Sequence, residues 1–314
     1  MNIQIILHQL ITLFLLMGTG FLLFRLGFLN TEFNRTLTRL LINVTMPFLI
    51  IDSVLQLTQR APVSTVFLVL AAAVVLYLIL PLFGYLIARL LFVPKAQRGL
   101  YTYMTTFSNV GFMGFPLISA LLGAEAVFYT ALFNMIFNLS SFSYGILLIS
   151  SGGSAQNSRS ETKEKPRLRM LLSPRILLSL LAIVLYFANL SFPAPVVDVV
   201  GYIGGLTTPL AMLLTGASIA SMNLPEMLRD WRMYPFILLK QIALPLCLYP
   251  LFCLFIQDTL LLNVSLIMLS LPVANSAVLF SIEYRADEKL ATRGVFLTTL
   301  FSIATIPLVV FLCL

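Results

Sequence analysis

Apolar runs of about membrane-crossing length alternate with short polar gaps along almost the whole chain. A helix needs about 20 mostly apolar residues to cross the hydrocarbon core of a bilayer. Read against turn and charge punctuation, the pattern predicts ten spans: Ile5–Phe24, Leu37–Leu57, Ser64–Leu91, Leu100–Leu122, Ala126–Ser150, Ile176–Leu190, Val199–Met222, Pro235–Gln257, Leu260–Ile282 and Gly294–Leu314. One long polar gap, Ser151–Arg175, runs G-G-S-A-Q-N-S and then S-E-T-K-E-K-P-R. Its Gly, Ser and charge read as a flexible cytoplasmic linker (151–175) between a first unit (1–150) and a second (176–314).

The two units echo each other at an offset of 162: Met46-Pro47 falls on Thr208-Pro209, Glu125-Ala126 on Asp287-Glu288, and Ser140 and Gly145 on Ser302 and Pro307. These matches keep the order of the spans, which predicts an internal repeat of five helices. Five is odd, so the second copy enters the membrane from the opposite side. Such inverted repeats are an architecture of secondary transporters, whose sites lie at broken helices in corresponding positions of the two halves.

Two spans carry the break signals. The fourth reads S-N-V-G-F-M-G-F-P, with Ser108, Asn109, Gly111, Gly114 and Pro116; the ninth reads S-L-P-V-A-N-S, with Ser270, Pro272, Asn275 and Ser276. Proline lacks an amide proton and clashes with the preceding turn, while glycine leaves helical geometry cheaply. The backbone groups so freed need protein, water or ligand, because lipid offers none. At offset 162, Val110 meets Pro272 and Pro116 meets Val278, so an insertion of a few residues separates Asn109 from Asn275. Ordinary proline kinks and close-packing glycines are the alternative account.

Composition removes other classes. The chain is 60% hydrophobic and 10% charged, against about 45–50% and about 25% in soluble domains, so most of its apolar surface faces lipid. The net charge of +7 is not a nucleic-acid signal, because the basic residues lie scattered in short gaps. Of 19 Lys and Arg, all but Arg60 and Lys240 fall in one alternate set of loops. That split places both termini outside and the linker in the cytoplasm. The first run lacks a preceding basic region and a cleavage site, so it reads as a retained helix. Cys247, Cys253 and Cys313 have no ligand spacing and read as small buried packing residues; His8 alone builds no metal site.

Ionisable residues inside spans are costly and often functional. Lys240, near the cytoplasmic end of the eighth span, has three readings: snorkelling to the surface, neutralising a carboxylate substrate, or capping a broken-helix carbonyl. Asp52 reaches toward the outer interface, Glu283 and Asp287 pair with Arg285 and Lys289, and Asn43, Asn134 and Asn138 bond across helices.

The chain resembles the auxin efflux carrier family of PIN-like transporters. The likeness lies in S-N-V-G-F-M-G-F-P, in L-P-V-A-N-S-A-V-L-F-S-I-E-Y, in T-P-L-A-M-L-L-T-G-A-S-I-A of the seventh span, and in the closing L-F-S-I-A-T-I-P-L. The resemblance implies an all-α membrane protein of ten helices in two inverted repeats, related in fold to bile acid–sodium symporters. Spans one, two, six and seven form a scaffold, expected to be dimeric, and spans three to five and eight to ten a mobile transport domain. The fourth and ninth helices unwind and cross at Pro116 and Pro272. The Asn-Pro-Asn-Thr-Tyr string of the plant members is absent, which points away from auxin and toward malonate and other organic anions. The expectation is a secondary efflux carrier of small carboxylates in a bacterial inner membrane, with an elevator-like movement and no cofactor. Coupling to H+ or Na+ stays open. Asn109 and Asn275 orient the substrate, Ser108, Ser276 and Lys240 assist, and Gly111, Gly114, Pro116 and Pro272 hold the break open. An anion channel and a non-transporting sensor are the alternatives; an intramembrane enzyme is disfavoured, since no nucleophile–base pair, aspartate pair or H-E-x-x-H helix is present.

Overall fold

A computed structural model describes residues 3–56, 62–150, 181, 184–188, 190, 192–221, 228 and 230–313. The linker 151–175, most of the expected sixth span and Arg60 lie outside them. Every described element is helical, and an antiparallel bridge between Ser108 and Val273 joins two non-helical links. In chain order the helices are α1 (Ile3–Arg25), α2 (Thr31–Leu55), α3 (Val63–Leu90), α4 (Lys95–Thr106), α5 (Val110–Leu122), α6 (Ala124–Ser150), α7 (Ala194–Ala220), α8 (Met233–Phe255), α9 (Thr259–Ser270), α10 (Ser276–Glu283) and α11 (Glu288–Cys313). Six of them, 23–28 residues long, are long and apolar enough to cross a membrane: α2, α3, α6, α7, α8 and α11. Several begin a few residues before the apolar run because a polar cap does: Asn30 Oδ1 accepts from Phe33 N and Asp258 Oδ1 from Leu261 N.

Prolines shape the long helices in a repeated way. Leu41–Thr45 in α2, Val110–Gly114 in α5 and Leu239–Ala243 in α8 are single wide π turns, and each stands two residues before a proline, Pro47, Pro116 or Pro245. In each the residue before the proline donates to the fifth residue back: Met46 to Leu41, Phe115 to Val110 and Leu244 to Leu239. A proline ring crowds the carbonyl four residues back, and an extra residue in the turn relieves that crowding. Pro81, Pro250 and Pro307 lie inside helices without such a turn. In α7 the corresponding feature is a one-residue interruption at Leu206, just ahead of Thr208-Pro209.

Two regions of close packing flank the crossing. In one, α1 lies against the second arm of α7, Thr207–Ala220, at glycine contacts too close for any side chain: Gly20 on the Leu213 carbonyl and Gly216 on the Met17 carbonyl. The first arm, Ala194–Gly205, lies on α2, where a Cβ at Gly204 would come 3.0 Å from the Leu49 backbone. Such small-residue contacts are how membrane helices gain packing energy without a hydrophobic drive between them. In the other region α3, α4 and α6 enclose a cluster of Tyr77, Tyr103, Phe107, Phe137 and Tyr144, joined to Phe280 of α10. The Tyr144 hydroxyl donates to the Tyr77 carbonyl.

Apolar side chains also cover the outside. Phe67, Val74, Leu78, Leu82, Leu86 and Leu90 line one exposed face of α3, as a lipid-facing helix requires. Cys247 and Cys253 are exposed on α8 rather than buried, and Cys313 is half-buried. Small apolar residues are equally at home facing lipid, so the packing role assigned to them does not hold. Asp287 forms no ion pair with Arg285 or Lys289 among the described residues. It caps α11 through Leu290 N at 3.0 Å and accepts from Gln97 Nε2 at 3.0 Å. Asn138 bonds within its own helix, Nδ2 to the Asn134 carbonyl at 2.8 Å, not across to a neighbour. Asp52 accepts from Gln56 Nε2 one turn on, and His8 is exposed near the start of α1.

Candidate functional site: the crossing of two interrupted helices

The two interrupted helices are matched in length. Helices α4 and α9 have 12 residues each, and the arms beyond the break, Phe115–Leu122 and Ser276–Glu283, have 8 each. The difference lies between them, where the first helix has an extended link and a π turn, 107–114, and the second only the link 271–275. This is the insertion that separates Asn109 from Asn275 in the repeat register.

The links pair with each other. Asn109 N donates to the Pro272 carbonyl at 2.8 Å, and Ala274 N to the Phe107 carbonyl at 3.0 Å. Pro272 sits in extended backbone, where its missing amide proton costs nothing and its carbonyl is used. Pro116 is not at the crossing, contrary to the expectation from sequence: it lies in the first turn of the arm Phe115–Leu122 and shapes the π turn before it. At Gly114 a Cβ would stand 2.9 Å from Leu271 Cδ1, a contact that a small shift of that side chain relieves. At Gly111 a Cβ would meet only Met46 Cε, at 3.7 Å.

Asn109 and Asn275 line one cavity of about 40 Å³ with Phe112. Its opposite wall is the second arm of α7, with Leu214, Thr215, Ser218 and Ile219, and its third side is α11, with Val295, Phe296 and Thr299. Asn109 is 5% exposed, and its Oδ1 accepts from Phe112 N at 3.2 Å, capping the π turn. Its Nδ2 has no partner among the described residues. Asn275 is exposed, stands at the N-cap of α10, and its side chain makes no capping bond. Both cavity asparagines therefore stand where a helix begins. The positive end of the helix dipole favours an anion there.

The other expected site residues stand outside the cavity lining. The Lys240 ammonium donates to Ser108 Oγ at 3.0 Å and to the Leu271 carbonyl at 2.6 Å. Lys240 is 0% exposed, so it does not snorkel. Ser276 Oγ accepts from Tyr103 Oη at 2.8 Å, and the same phenol meets Ser141 Oγ at 2.8 Å. Beside Lys240, Gln241 Nε2 donates to the Thr298 carbonyl at 2.9 Å, and Thr298 Oγ1 accepts from Val273 N at 3.0 Å. Sequence reasoning missed Tyr103, Gln241, Thr298, Thr215 and Ser218. For Gln241 a signal was present, a polar residue beside Lys240 in an apolar span. The others are ordinary in membrane helices, where hydroxyls usually bond their own carbonyls, as Thr215 does to Ala211.

A bundle sheathed in exposed apolar side chains, with several helices long enough to span a bilayer and two interrupted helices crossing inside, is a multi-pass membrane protein. The chain belongs to the auxin efflux carrier family, described as "Membrane transport protein", which matches residues 5–310. It is 26% identical over 313 residues, 96% of each chain, to a protein of Methanothermobacter thermautotrophicus named "Uncharacterized transporter". An uncharacterized transporter of Methanocaldococcus jannaschii is 25% identical over 291 residues, 90% of each chain. A Rhizobium meliloti protein named "Putative malonate transporter" is 21% identical over 217 residues, 67% of this chain and 66% of that one.

Proposed function

We propose that this chain is a secondary transporter of small organic anions, carboxylates foremost, that exports its substrate by moving the crossing relative to a scaffold. The observation that carries the reading is the antiparallel crossing of two interrupted helices, with Asn109 capping the π turn of α5 and Asn275 at the N-cap of α10, both lining one cavity. Equal arm lengths support two five-helix repeats of opposite orientation, residues 1–150 and 176–314. In this reading α1, α2 and α7 belong to the scaffold, through which the protein forms a dimer, and α3–α6 with α8–α11 form the moving body.

The cavity wall supports movement as well. Leu214, Thr215, Ser218 and Ile219 come from the scaffold arm, so the site lies between the two bodies. At about 40 Å³ it holds little more than water, and a carboxylate enters only when the bodies separate. The carboxylate oxygens then meet the uncommitted side-chain amides of Asn109 and Asn275, at the positive ends of two helices. Phe112 and Phe296 cover its carbon skeleton. The protein sits in a bacterial inner membrane with both termini outside and 151–175 in the cytoplasm. The decisive experiment is malonate flux by purified protein in liposomes, compared with Asn109→Ala and Asn275→Ala; unchanged rates in both variants sink the assignment.

A further inference from the structure

The Lys240 amine is fully buried and has no ion pair to a described carboxylate. Its partners are neutral oxygens, Ser108 Oγ and the Leu271 carbonyl. Leu271 caps the C-terminal end of α9, where unpaired carbonyls concentrate partial negative charge. In transporters built on broken helices, such carbonyl ends are where a coupling cation is coordinated. Here both the hydroxyl and the carbonyl are engaged by an ammonium delivered from a third helix.

Its delivery is built into α8. The π turn Leu239–Ala243 widens the helix ahead of Pro245 and turns two consecutive polar side chains inward, both fully buried. Lys240 holds the link of the ninth span, and Gln241 holds α11 through Thr298, whose hydroxyl in turn holds Val273 of the same link. A sodium ion does not fit beside Leu271, because the oxygens that would hold it are engaged by Lys240 and no described carboxylate joins them.

We propose that the Lys240 ammonium is the crossing's own cation, fixed where an inorganic monovalent cation would otherwise bind, so that this end of α9 takes up no sodium. The cation assignment rests on the crossing geometry alone. Only its consequence, that flux needs no sodium gradient, rests on the transporter reading.

The test uses the purified full-length protein and its thermal unfolding in NaCl, KCl, choline chloride and n-propylammonium chloride at equal ionic strength. The wild type responds alike to all four. Lys240→Ala loses roughly 5 °C or more and regains stability, saturably, with Na+ or n-propylammonium but not with choline. Lys240→Met, which fills the space with an uncharged chain, stays low in every salt. If Lys240→Ala does not fold, Lys240→Arg against Lys240→Gln decides, the charged variant being the more stable. A folded Lys240→Ala that ignores every cation overturns the proposal. So does Gln matching Arg, or a wild type that sodium stabilises over choline. Flux failing to follow these results while stability does would count against the transport reading alone.

Discussion

The amide of Asn109 donates to the carbonyl of Pro272 at 2.8 Å, joining two links that lie about half the chain apart. With Ala274 N on the Phe107 carbonyl, this makes the crossing a backbone structure that side-chain changes leave standing. The Asn109 side chain is thereby free for two separable tasks: Oδ1 caps Phe112 N, and Nδ2 is uncommitted. Asn109→Asp keeps the capping oxygen and sets a negative charge in the cavity. The variant unfolds within a few degrees of wild type, while malonate flux in liposomes falls at least roughly tenfold, through repulsion at short range in a low-dielectric site. Retained flux would remove anion recognition from Asn109.

Tyr103 ties three helices through one hydroxyl, meeting Ser276 at the start of α10 and Ser141 of α6, where Ser141–Gly145 forms a further π turn with no proline after it. Tyr103→Phe leaves both serines without that partner inside the protein. It costs about 1–2 kcal/mol in thermal or denaturant unfolding. Ser276→Ala costs less in the Tyr103→Phe background than alone, and a double-mutant cycle reads the difference. Additive effects would mean that the two hydroxyls are not coupled.

Gly18 and Gly20 lie on the same helix but in different surroundings. A Cβ at Gly18 meets nothing within 4 Å, whereas one at Gly20 would overlap the Leu213 carbonyl of α7. Gly18→Ala is therefore neutral or stabilising by up to about 1 kcal/mol, since alanine is the better helix former. Gly20→Ala forces α1 and α7 apart and destabilises by about 1–3 kcal/mol. Thermal unfolding of the two variants side by side checks the ranking.

Helix positions were legible because the bilayer demands a length and an apolar composition, which any run of suitable residues declares. The two breaks were legible for the opposite reason: Ser108, Asn109, Pro272 and Asn275 are residues that lipid penalises, so their presence asks for a reason. What the sequence could not say was which way each side chain faces. Ser276 and Asn275 are neighbours, yet one meets Tyr103 and the other the cavity. Pro116 and Pro272 looked equivalent, but only one lies in the crossing, because the other acts through the turn before it. Lys240 was visible as an anomaly with three readings. Choosing among them required knowing that α9 ends at Leu271 beside it, a fact of tertiary packing.

Pro245 offers the sharpest test of that turn logic. Replacing a proline inside a helix by alanine ordinarily stabilises, by up to about 3 kcal/mol, because a hydrogen bond is restored and a clash removed. At the exposed Pro250, which has no π turn before it, that rule holds, and Pro250→Ala raises or keeps the unfolding temperature. At Pro245 the restored amide lets the turn Leu239–Ala243 close to regular α geometry, and each residue removed from a wide turn rotates what precedes it by about 100°. Lys240 and Gln241 then swing away from Leu271 and Thr298, leaving a buried charge without its oxygens. Pro245→Ala therefore lowers the unfolding temperature by roughly 3 °C or more and reduces malonate flux along with Lys240→Met. If both alanine variants stabilise alike, the π turn does not depend on Pro245, and the seating of Lys240 must come from the packing of α8 itself.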